Sequence, residues 1–185
     1  MEDLINKVLA EIASCLNQVS PDSFDEALSM ICDAPRVFVS GAGRSGLIMR
    51  ALGVRLMHLG KTVYVVGDST TPGIQKNELL ILGSGSGRTP TQLTIAQKAK
   101  NQGARILLFT TDPESPSAII ADRTITLPAP SLEDESSKNG LKSIQPMGTL
   151  FEQTLLIACD VMILRLMSQT GESASQMRGR HANLE

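Results

Sequence analysis

Two loops rich in small residues carry the side chains best suited to chemistry in this sequence. One of them, residues 83–89, reads Gly-Ser-Gly-Ser-Gly-Arg-Thr and precedes Pro90, a residue favoured at the first position of a helix. Its hydroxyls and the free N–H groups of a helix N-terminus together suit an anion such as phosphate. Capping and turn formation are the local alternative, but three hydroxyls exceed what one helix start needs. The candidate ligands are Ser84, Gly85, Ser86, Gly87, Arg88 and Thr89.

The other loop matches the pattern G-x-G-x-x-G at residues 41–46, and Asp68 follows about twenty residues later. Dinucleotide-binding proteins show this arrangement, with the acid on a ribose hydroxyl. Alternatively, the glycines serve only a tight turn, or Ser45 helps the 83–89 loop to hold one phosphate. Arg44 and Arg88 could each contact phosphate, stabilise an oxyanion or point to solvent. Arg44 is the stronger candidate because it directly precedes Ser45.

Short β-branched segments alternate with helical ones, which predicts an α/β fold. We expect a three-layer, doubly wound (flavodoxin-like) sheet of five parallel strands with helices on both faces. In the strand order 2-1-3-4-5, the loops after the first and third strands flank the topological switch point and share one crevice. These are the two loops described above. The predicted strands are residues 36–40, 62–66, 78–82, 105–110 and 123–127.

The length of 185 residues suits a single domain, residues 1–185, with one sizeable core. The second predicted helix has a capping-box start, with Ser23 three residues before Glu26. A long polar linker at residues 128–146 precedes the last long helix, and such linkers inside a domain are usually functional or mobile. The predicted parts are N-terminal helices at 1–35, an α/β core at 36–167 and a tail at 168–185.

The composition excludes several classes of protein. The net charge is −2 and aromatic residues make up 3%, so neither a basic surface nor stacking platforms for nucleic acid are expected. No apolar run reaches the roughly 20 residues of a membrane span, and the N-terminal segment lacks the pattern of a signal peptide. The three cysteines suggest no disulfide framework, and no residues show metal-ligand spacing. We therefore expect a cytoplasmic protein with no metal, membrane or nucleic-acid partner.

The two loops together resemble the sugar isomerase (SIS) domain family, which binds phosphosugars. The resemblance rests on Gly-Ala-Gly-Arg-Ser at 41–45 and on the Ser-x-Ser-Gly-x-Thr pattern at 84–89, and it covers roughly residues 36–167. It implies the SIS form of the doubly wound fold and a sugar phosphate as the small-molecule partner. Further segments are similar to the branch of the family that isomerises a hexulose phosphate. These segments are residues 55–60, 63–67, 144–152 and 180–185.

The resemblance implies the interconversion of D-arabino-hex-3-ulose 6-phosphate and D-fructose 6-phosphate, in the ribulose monophosphate pathway of formaldehyde fixation or pentose phosphate synthesis. Passing through an enediol(ate), this reaction needs one general base near two adjacent carbons and donors for an oxyanion, but no cofactor. The resemblance places the base at Glu152, which would otherwise be interpreted as a surface residue complementing a helix dipole. It also implies that His181 assists ring opening or proton transfer, unless it is an exposed tail residue. His58 is expected to be packed or at an interface.

Three classes of function stay open at this point. The first is an isomerase, for the hexulose phosphate or for arabinose 5-phosphate or sedoheptulose 7-phosphate. The second is a non-catalytic phosphosugar-binding protein, and the third is a nucleotide-binding oxidoreductase, which leaves residues 84–89 unexplained. The apolar helices at both ends of the chain predict a homo-oligomer, a dimer or a homotetramer. A hexulose-phosphate synthase is the expected functional partner.

Overall fold

The computed structural model of the chain describes residues 1–130 and 142–184. Within these ranges, five parallel strands form a sheet of order β2-β1-β3-β4-β5, which confirms the predicted doubly wound topology. Most of the predicted linker, residues 131–141, lies outside the described residues. The strands are β1 (Val37–Gly41), β2 (Val63–Val65), β3 (Leu79–Gly83), β4 (Arg105–Thr110) and β5 (Arg123–Thr126).

The central strands β1 and β3 end at the same level of the sheet. Gly41, the last residue of β1, is aligned with Gly83, the last residue of β3. The chain leaves β1 towards one edge of the sheet and leaves β3 towards the other. The two small-residue loops therefore emerge side by side at the topological switch point.

Helices cover both faces of the sheet and give the fold three layers. Side chains alternate along each strand, so Leu79 and Ile81 enter one apolar cluster while Leu80 and Leu82 enter another on the opposite face. The first cluster includes residues of α1, α2, α3 and α6, and the second includes residues of α4 and α5. The helices are α1 (Glu2–Leu16), α2 (Pro21–Asp33), α3 (Gly43–His58), α4 (Pro90–Asn101), α5 (Pro116–Ile120), α6 (Thr149–Thr170) and α7 (Ala174–Gly179).

The longest helix, α6, contributes heavily to the larger cluster. Nine of its 22 residues are buried, from Leu150 at its start to Leu166 near its end. Leu156, Val161 and Leu164 of the same helix are at least 40% exposed, so its apolar surface extends beyond the core of one chain. None of the described helices has the length and apolar character needed to cross a bilayer.

The start of α2 differs from the sequence-based prediction. The helix begins at Pro21, and Oγ of Ser20 accepts a hydrogen bond from the N–H of Ser23 at 3.4 Å. The capping box predicted from Ser23 to Glu26 is therefore wrong, because Pro21 fits the first helical position and the helix starts three residues earlier than predicted, with Ser20 as its N-cap. A capping box does occur in the predicted tail, where Ser173 is the N-cap of α7 and Gln176 completes the box.

Candidate active site

A cavity of about 390 Å³ opens beyond the ends of β1 and β3, where the start of α6 meets the two small-residue loops. Three of the ten predicted site residues, Gly87, Arg88 and His181, do not line it. The seven that do are Arg44, Ser45, Ser84, Gly85, Ser86, Thr89 and Glu152. The fold thus joins hydroxyls and glycines from two strand ends to one carboxylate from a helix more than sixty residues later in the chain.

The 83–89 loop is anchored to the end of β4 through one carbonyl group. The oxygen of Gly85 accepts hydrogen bonds from Oγ1 of Thr110 at 2.8 Å, and from Oγ1 and N of Thr111 at 2.9 Å each. These bonds fix the backbone between Ser84 and Ser86 in the free protein. A loop already ordered in this way costs less conformational entropy when a ligand binds.

Ser84 brings an unpaired hydroxyl to the wall of the cavity. The residue is 4% exposed, and no hydrogen-bond partner for its Oγ is found within residues 1–130 and 142–184. Leaving a buried hydroxyl unsatisfied costs about 1–3 kcal/mol, so native proteins rarely keep one without a use. A phosphate oxygen in the cavity is a suitable acceptor, and the N-terminus of α4, which follows Thr89, favours the same negative charge.

We expect Ser84→Ala to weaken the binding of inorganic phosphate and of a phosphosugar by about 10- to 100-fold, because a hydrogen bond to a charged group contributes about 1.5–3 kcal/mol. The free energy of unfolding should not fall, since the change removes an unsatisfied hydroxyl. Titration calorimetry measures the first quantity and urea unfolding the second. Ser29→Ala, on the exposed side of α2, is the matched control. An unchanged phosphate affinity in Ser84→Ala would contradict this role.

Arg44 and Glu152 form an ion pair across the cavity. Nε of Arg44 lies 3.0 Å from Oε2 of Glu152, and the two side chains are 60% and 14% exposed respectively. Glu152 stands in the first turn of α6, close to the positive end of the helix dipole. The carboxylate is therefore the shielded partner of this ion pair, and the guanidinium is the solvent-exposed one.

Gly87 and Arg88 connect the 83–89 loop to a neighbouring segment. Nη2 of Arg88 lies 2.7 Å from Oδ2 of Asp112. Gly87 has a φ of 61°, and its carbonyl oxygen accepts a hydrogen bond from the N–H of Ser117 at 3.1 Å. Both residues thus secure the outer side of the loop, which the sequence pattern alone does not distinguish from its ligand-facing side.

The glycines of the 41–46 loop allow two parts of its backbone to lie very close together. A Cβ atom on Gly46 would lie 2.5 Å from the carbonyl oxygen of Gly41. Asp68, the acid expected on a ribose in the nucleotide interpretation, is paired with Arg50 at 2.8 Å and does not line the cavity. The arrangement therefore favours the tight-turn interpretation of this loop over a dinucleotide site.

His181 lies in a second cavity, of about 610 Å³, together with His58. Nδ1 of His181 is 3.2 Å from Nε2 of His58. Arg180 holds this part of the tail in place: its guanidinium donates to the carbonyl oxygen of His58 at 2.9 Å and to both carboxylate oxygens of Glu172 at 2.9 Å. The structure therefore places His181 beside α3 of its own chain and away from Glu152.

His58 is packed, as expected, at the C-terminal end of α3. Burial lowers its pKa, and electrostatic interactions with His181 and Arg55 lower it further. The folded protein thus favours the neutral imidazole. The resulting contribution to the free energy of unfolding is present above the unfolded pKa of about 6.5 and is lost as the pH falls below it. The sequence gives no sign that His58 and His181 are neighbours, because they are 123 positions apart.

Six residues that line the cavity were not among the predicted site residues, and two of them, Phe151 and Met147, have large side chains. Phe151 packs beneath the 83–89 loop, and a Cβ atom on Gly85 would lie 3.2 Å from its ring. Met147 is 71% exposed and has a φ of 57°, an uncommon value for a residue with a side chain. Both belong to the 144–152 segment. The resemblance of this segment to a known family was the sequence feature that could have identified them as cavity residues. Within the described residues, no group of His, Cys, Asp and Glu is arranged to hold a metal.

Known proteins share both the sequence and the fold of this chain. The model of the SIS domain family matches residues 30–157. A 3-hexulose-6-phosphate isomerase of Mycobacterium gastri is 42% identical, over 100% of this chain and 92% of its own length. One from Bacillus subtilis is 38% identical, over 99% and 98%.

The same similarity is seen among solved structures. A crystal structure of a Methanococcus jannaschii protein, for which a function of 3-hexulose-6-phosphate isomerase was inferred, superimposes with a TM-score of 0.84. It is 38% identical and covers 100% of both chains. The similarity therefore includes the N-terminal helices and the tail as well as the α/β core.

Proposed function

The chain belongs to the SIS domain family, and we propose that it interconverts D-arabino-hex-3-ulose 6-phosphate and D-fructose 6-phosphate. The observation that carries this proposal is the 390 Å³ cavity, in which phosphate-type loops and the single carboxylate of Glu152 face one another. The full-length similarity to 3-hexulose-6-phosphate isomerases supports the choice of substrate.

Phosphate binding is the first task of the cavity. The hydroxyls of Ser84, Ser86 and Thr89 and the N-terminus of α4 would hold the 6-phosphate, with Ser45 of the neighbouring loop assisting. The free hydroxyl of Ser84 supports this assignment. Anchoring the phosphate at one end presents the carbonyl end of the sugar to α6.

Proton transfer is the second task, and we assign it to Glu152. The carboxylate takes the proton from C2 of the 3-ketose, giving a 2,3-enediolate, and returns it to C3 as the carbonyl moves to C2. The hydroxyl proton passes from the C2 oxygen to the C3 oxygen, so atoms and charge balance. One base serves both steps because the carbons are adjacent. Arg44, whose Nε lies 3.0 Å from the carboxylate, would stabilise the enediolate oxygen.

Turnover tests the proposed function directly. Hexulose phosphate is generated in situ from formaldehyde and ribulose 5-phosphate with a separate synthase, and fructose 6-phosphate is followed through coupled NADP reduction. Robust turnover is expected for the purified chain. Turnover of arabinose 5-phosphate or sedoheptulose 7-phosphate instead would move the assignment to another isomerase. Phosphosugar binding without turnover of any of the three would favour a non-catalytic binding protein.

We propose that the chain assembles as a homo-oligomer, with a homotetramer as the expected form. Apolar residues are exposed on helices at both ends of the chain: Leu4, Ile5 and Leu9 of α1, and Leu156, Val161 and Leu164 of α6. Further exposed apolar residues lie on α3, where Leu47 is 67% and Val54 49% exposed. Burying these surfaces against a second copy would remove them from water.

His181 can act in the reaction only if it reaches a cavity that contains a glutamate, and we propose that this cavity belongs to a neighbouring subunit. In its own chain it lies in the other cavity, at an exposed position of the tail. His181 would then assist ring opening or proton transfer in the active site of the neighbouring subunit.

Mixing two inactive variants tests this sharing of residues. If Glu152 and His181 come from different chains, randomly mixed Glu152→Gln and His181→Gln chains should recover about a quarter of wild-type activity, since one site in four receives both wild-type groups. Each variant alone should be strongly impaired. The mixture is made by co-expression with two affinity tags and assayed after double purification. No gain over the separate variants would show that His181 does not serve a neighbour's site.

We also propose that the enzyme works in the cytoplasm, in the ribulose monophosphate pathway, beside a hexulose-phosphate synthase. The three cysteines are free thiols, and burial raises the pKa of Cys15 to about 11, as suits unreactive thiols in a reducing compartment. The proposed substrate is what a synthase makes from formaldehyde and ribulose 5-phosphate. An extract of cells lacking the gene should convert these two compounds to hexulose phosphate and stop there.

A further inference from the structure

The side chain of Glu11 on α1 holds the backbone that leads into α6. Its Oε1 accepts a hydrogen bond from the N–H of Ile144 at 2.8 Å. Its Oε2 accepts from Oγ of Ser143 at 2.7 Å and from Nε2 of Gln145 at 3.0 Å. Oγ of Ser143 in turn accepts from the N–H of Gln145 at 3.0 Å. One carboxylate therefore organises three consecutive residues that lie more than 130 positions along the chain.

The segment held by Glu11 ends at the candidate active site. Met147 follows two residues later with its φ of 57°, and Gly148 is the N-cap of α6. Met147, Gly148 and Glu152 all line the 390 Å³ cavity. The conformation of residues 143–148 therefore sets where α6 begins and at what angle its first turn presents the Glu152 carboxylate.

We propose that Glu11 is a positioning residue for Glu152, a role that rests on the proposed function of Glu152 as the base. Glu11 does not line the cavity, so it acts through the 143–148 segment. Catalysis by an oriented carboxylate is sensitive to displacements of the order of 1 Å, which can cost about a hundredfold in rate. A tether of three hydrogen bonds just before the helix restrains such displacements.

The charge of Glu11 suits this role at ordinary pH. Partial burial raises its pKa, but the hydrogen bonds from Ser143, Gln145 and Ile144 outweigh that effect and hold the pKa below its ordinary value. A carboxyl group with a lowered pKa in the folded state contributes stability above the unfolded pKa of about 4.3 and loses it as the pH falls through the folded pKa. The Glu11 carboxyl group is therefore fully ionised at the near-neutral pH of the activity assay.

The attachment of α1 to the rest of the fold does not depend on Glu11. Ile12 and Cys15 of the same helix are buried in the larger apolar cluster, and Val8 and Leu16 pack against it. Replacing the half-buried Glu11 should thus leave α1 in place. The local tether and the global stability of the chain can be separated by experiment.

Variants at Glu11 test the proposal, with Glu2→Gln on the exposed first turn of α1 as the matched control. Glu11→Gln keeps one acceptor oxygen, Glu11→Ala keeps none, and Glu11→Asp restores the charge on a shorter side chain. We expect kcat to fall by about ten- to a hundredfold in Glu11→Ala, less in Glu11→Gln and least in Glu11→Asp. The KM of the sugar phosphate and the inhibition constant of inorganic phosphate should stay within about twofold, because the phosphate loops are untouched.

Two further measurements separate positioning from a general loss of structure. Limited trypsin digestion, read by mass spectrometry, should cut the Lys142–Ser143 bond faster in Glu11→Ala while the urea midpoint stays close to that of the wild type. In a Glu152→Gln background, Glu11→Ala should cost no further kcat, since a positioning residue has nothing left to position.

The outcomes for Glu11 and for the proposed function are distinct. Wild-type turnover tests the function, whereas the ratio of variant to wild type and the cleavage rate test Glu11. Equal kcat values for Glu11→Ala and wild type would overturn the proposal. So would a full additional loss in the Glu152→Gln background, or a loss confined to KM.

Discussion

Glu152→Gln is expected to lower kcat for isomerisation of the hexulose phosphate by about 10²- to 10⁴-fold, the usual contribution of a general base. Glutamine has nearly the same shape but cannot accept the carbon-bound proton. KM and the affinity for inorganic phosphate should change little, because the proposed phosphate ligands lie in the 83–89 loop and not in α6. The coupled assay gives both constants, and titration calorimetry gives the phosphate affinity.

Two controls make this result specific. Glu26→Gln removes a carboxylate that pairs with Arg123 on the surface, at 2.5 Å, and should leave activity unchanged. Exchange of the substrate C–H hydrogen with deuterated solvent, followed by NMR, should disappear in Glu152→Gln together with turnover. Turnover that survives the substitution would assign proton transfer to another group, and His181 would be the next to test.

Gly46→Ala is expected to destabilise the protein by about 3 kcal/mol, the upper end of the usual cost of overpacking, and to abolish phosphate binding. The added Cβ would lie 2.5 Å from the oxygen and 3.0 Å from the carbon of the Gly41 carbonyl. Both are backbone atoms and cannot turn aside as a side chain can. The start of α3 would have to move away from the end of β1, and with it the wall that carries Arg44 and Ser45.

Urea unfolding and phosphate titration measure the two effects of Gly46→Ala. The matched control is Gly179→Ala, where a Cβ would meet nothing within 4 Å and the backbone has no positive φ. That variant should have the stability and activity of the wild type. A Gly46→Ala protein as stable as Gly179→Ala would show that the turn relaxes easily, and the close-approach interpretation of the 41–46 loop would then be wrong.

Local patterns in the sequence predicted the sheet and both loops. The strand-loop-helix units depend on residues close together in the chain, such as the apolar run Val37–Val39 followed by Gly41. The strand order is one of the two that are common in doubly wound sheets, and it brings the loops together. Glu152 could be selected only through a family resemblance, because a glutamate in the first turn of a helix is common for electrostatic reasons alone.

Contacts between distant parts of the chain could not be predicted from these local patterns. Glu11 and Ser143, or His58 and His181, come together only when α1 packs on α6 and α7 packs on α3. Likewise, nothing local in the 83–89 loop shows that Arg88 turns to Asp112. Such pairs depend on the angles at which helices dock, which are set by the shape of the whole core.

The position of α6 in the chain has a consequence for biosynthesis. This helix supplies both the candidate base and eight buried residues of the larger apolar cluster, yet among the core elements it is the last to leave the ribosome. A nascent chain that has completed the sheet and both small-residue loops still exposes the part of one apolar face that α6 covers, and it lacks Glu152. The proposed base and the final cover of that face are therefore both supplied by α6, after the rest of the core, and exposed apolar surface of this kind promotes aggregation until it is covered.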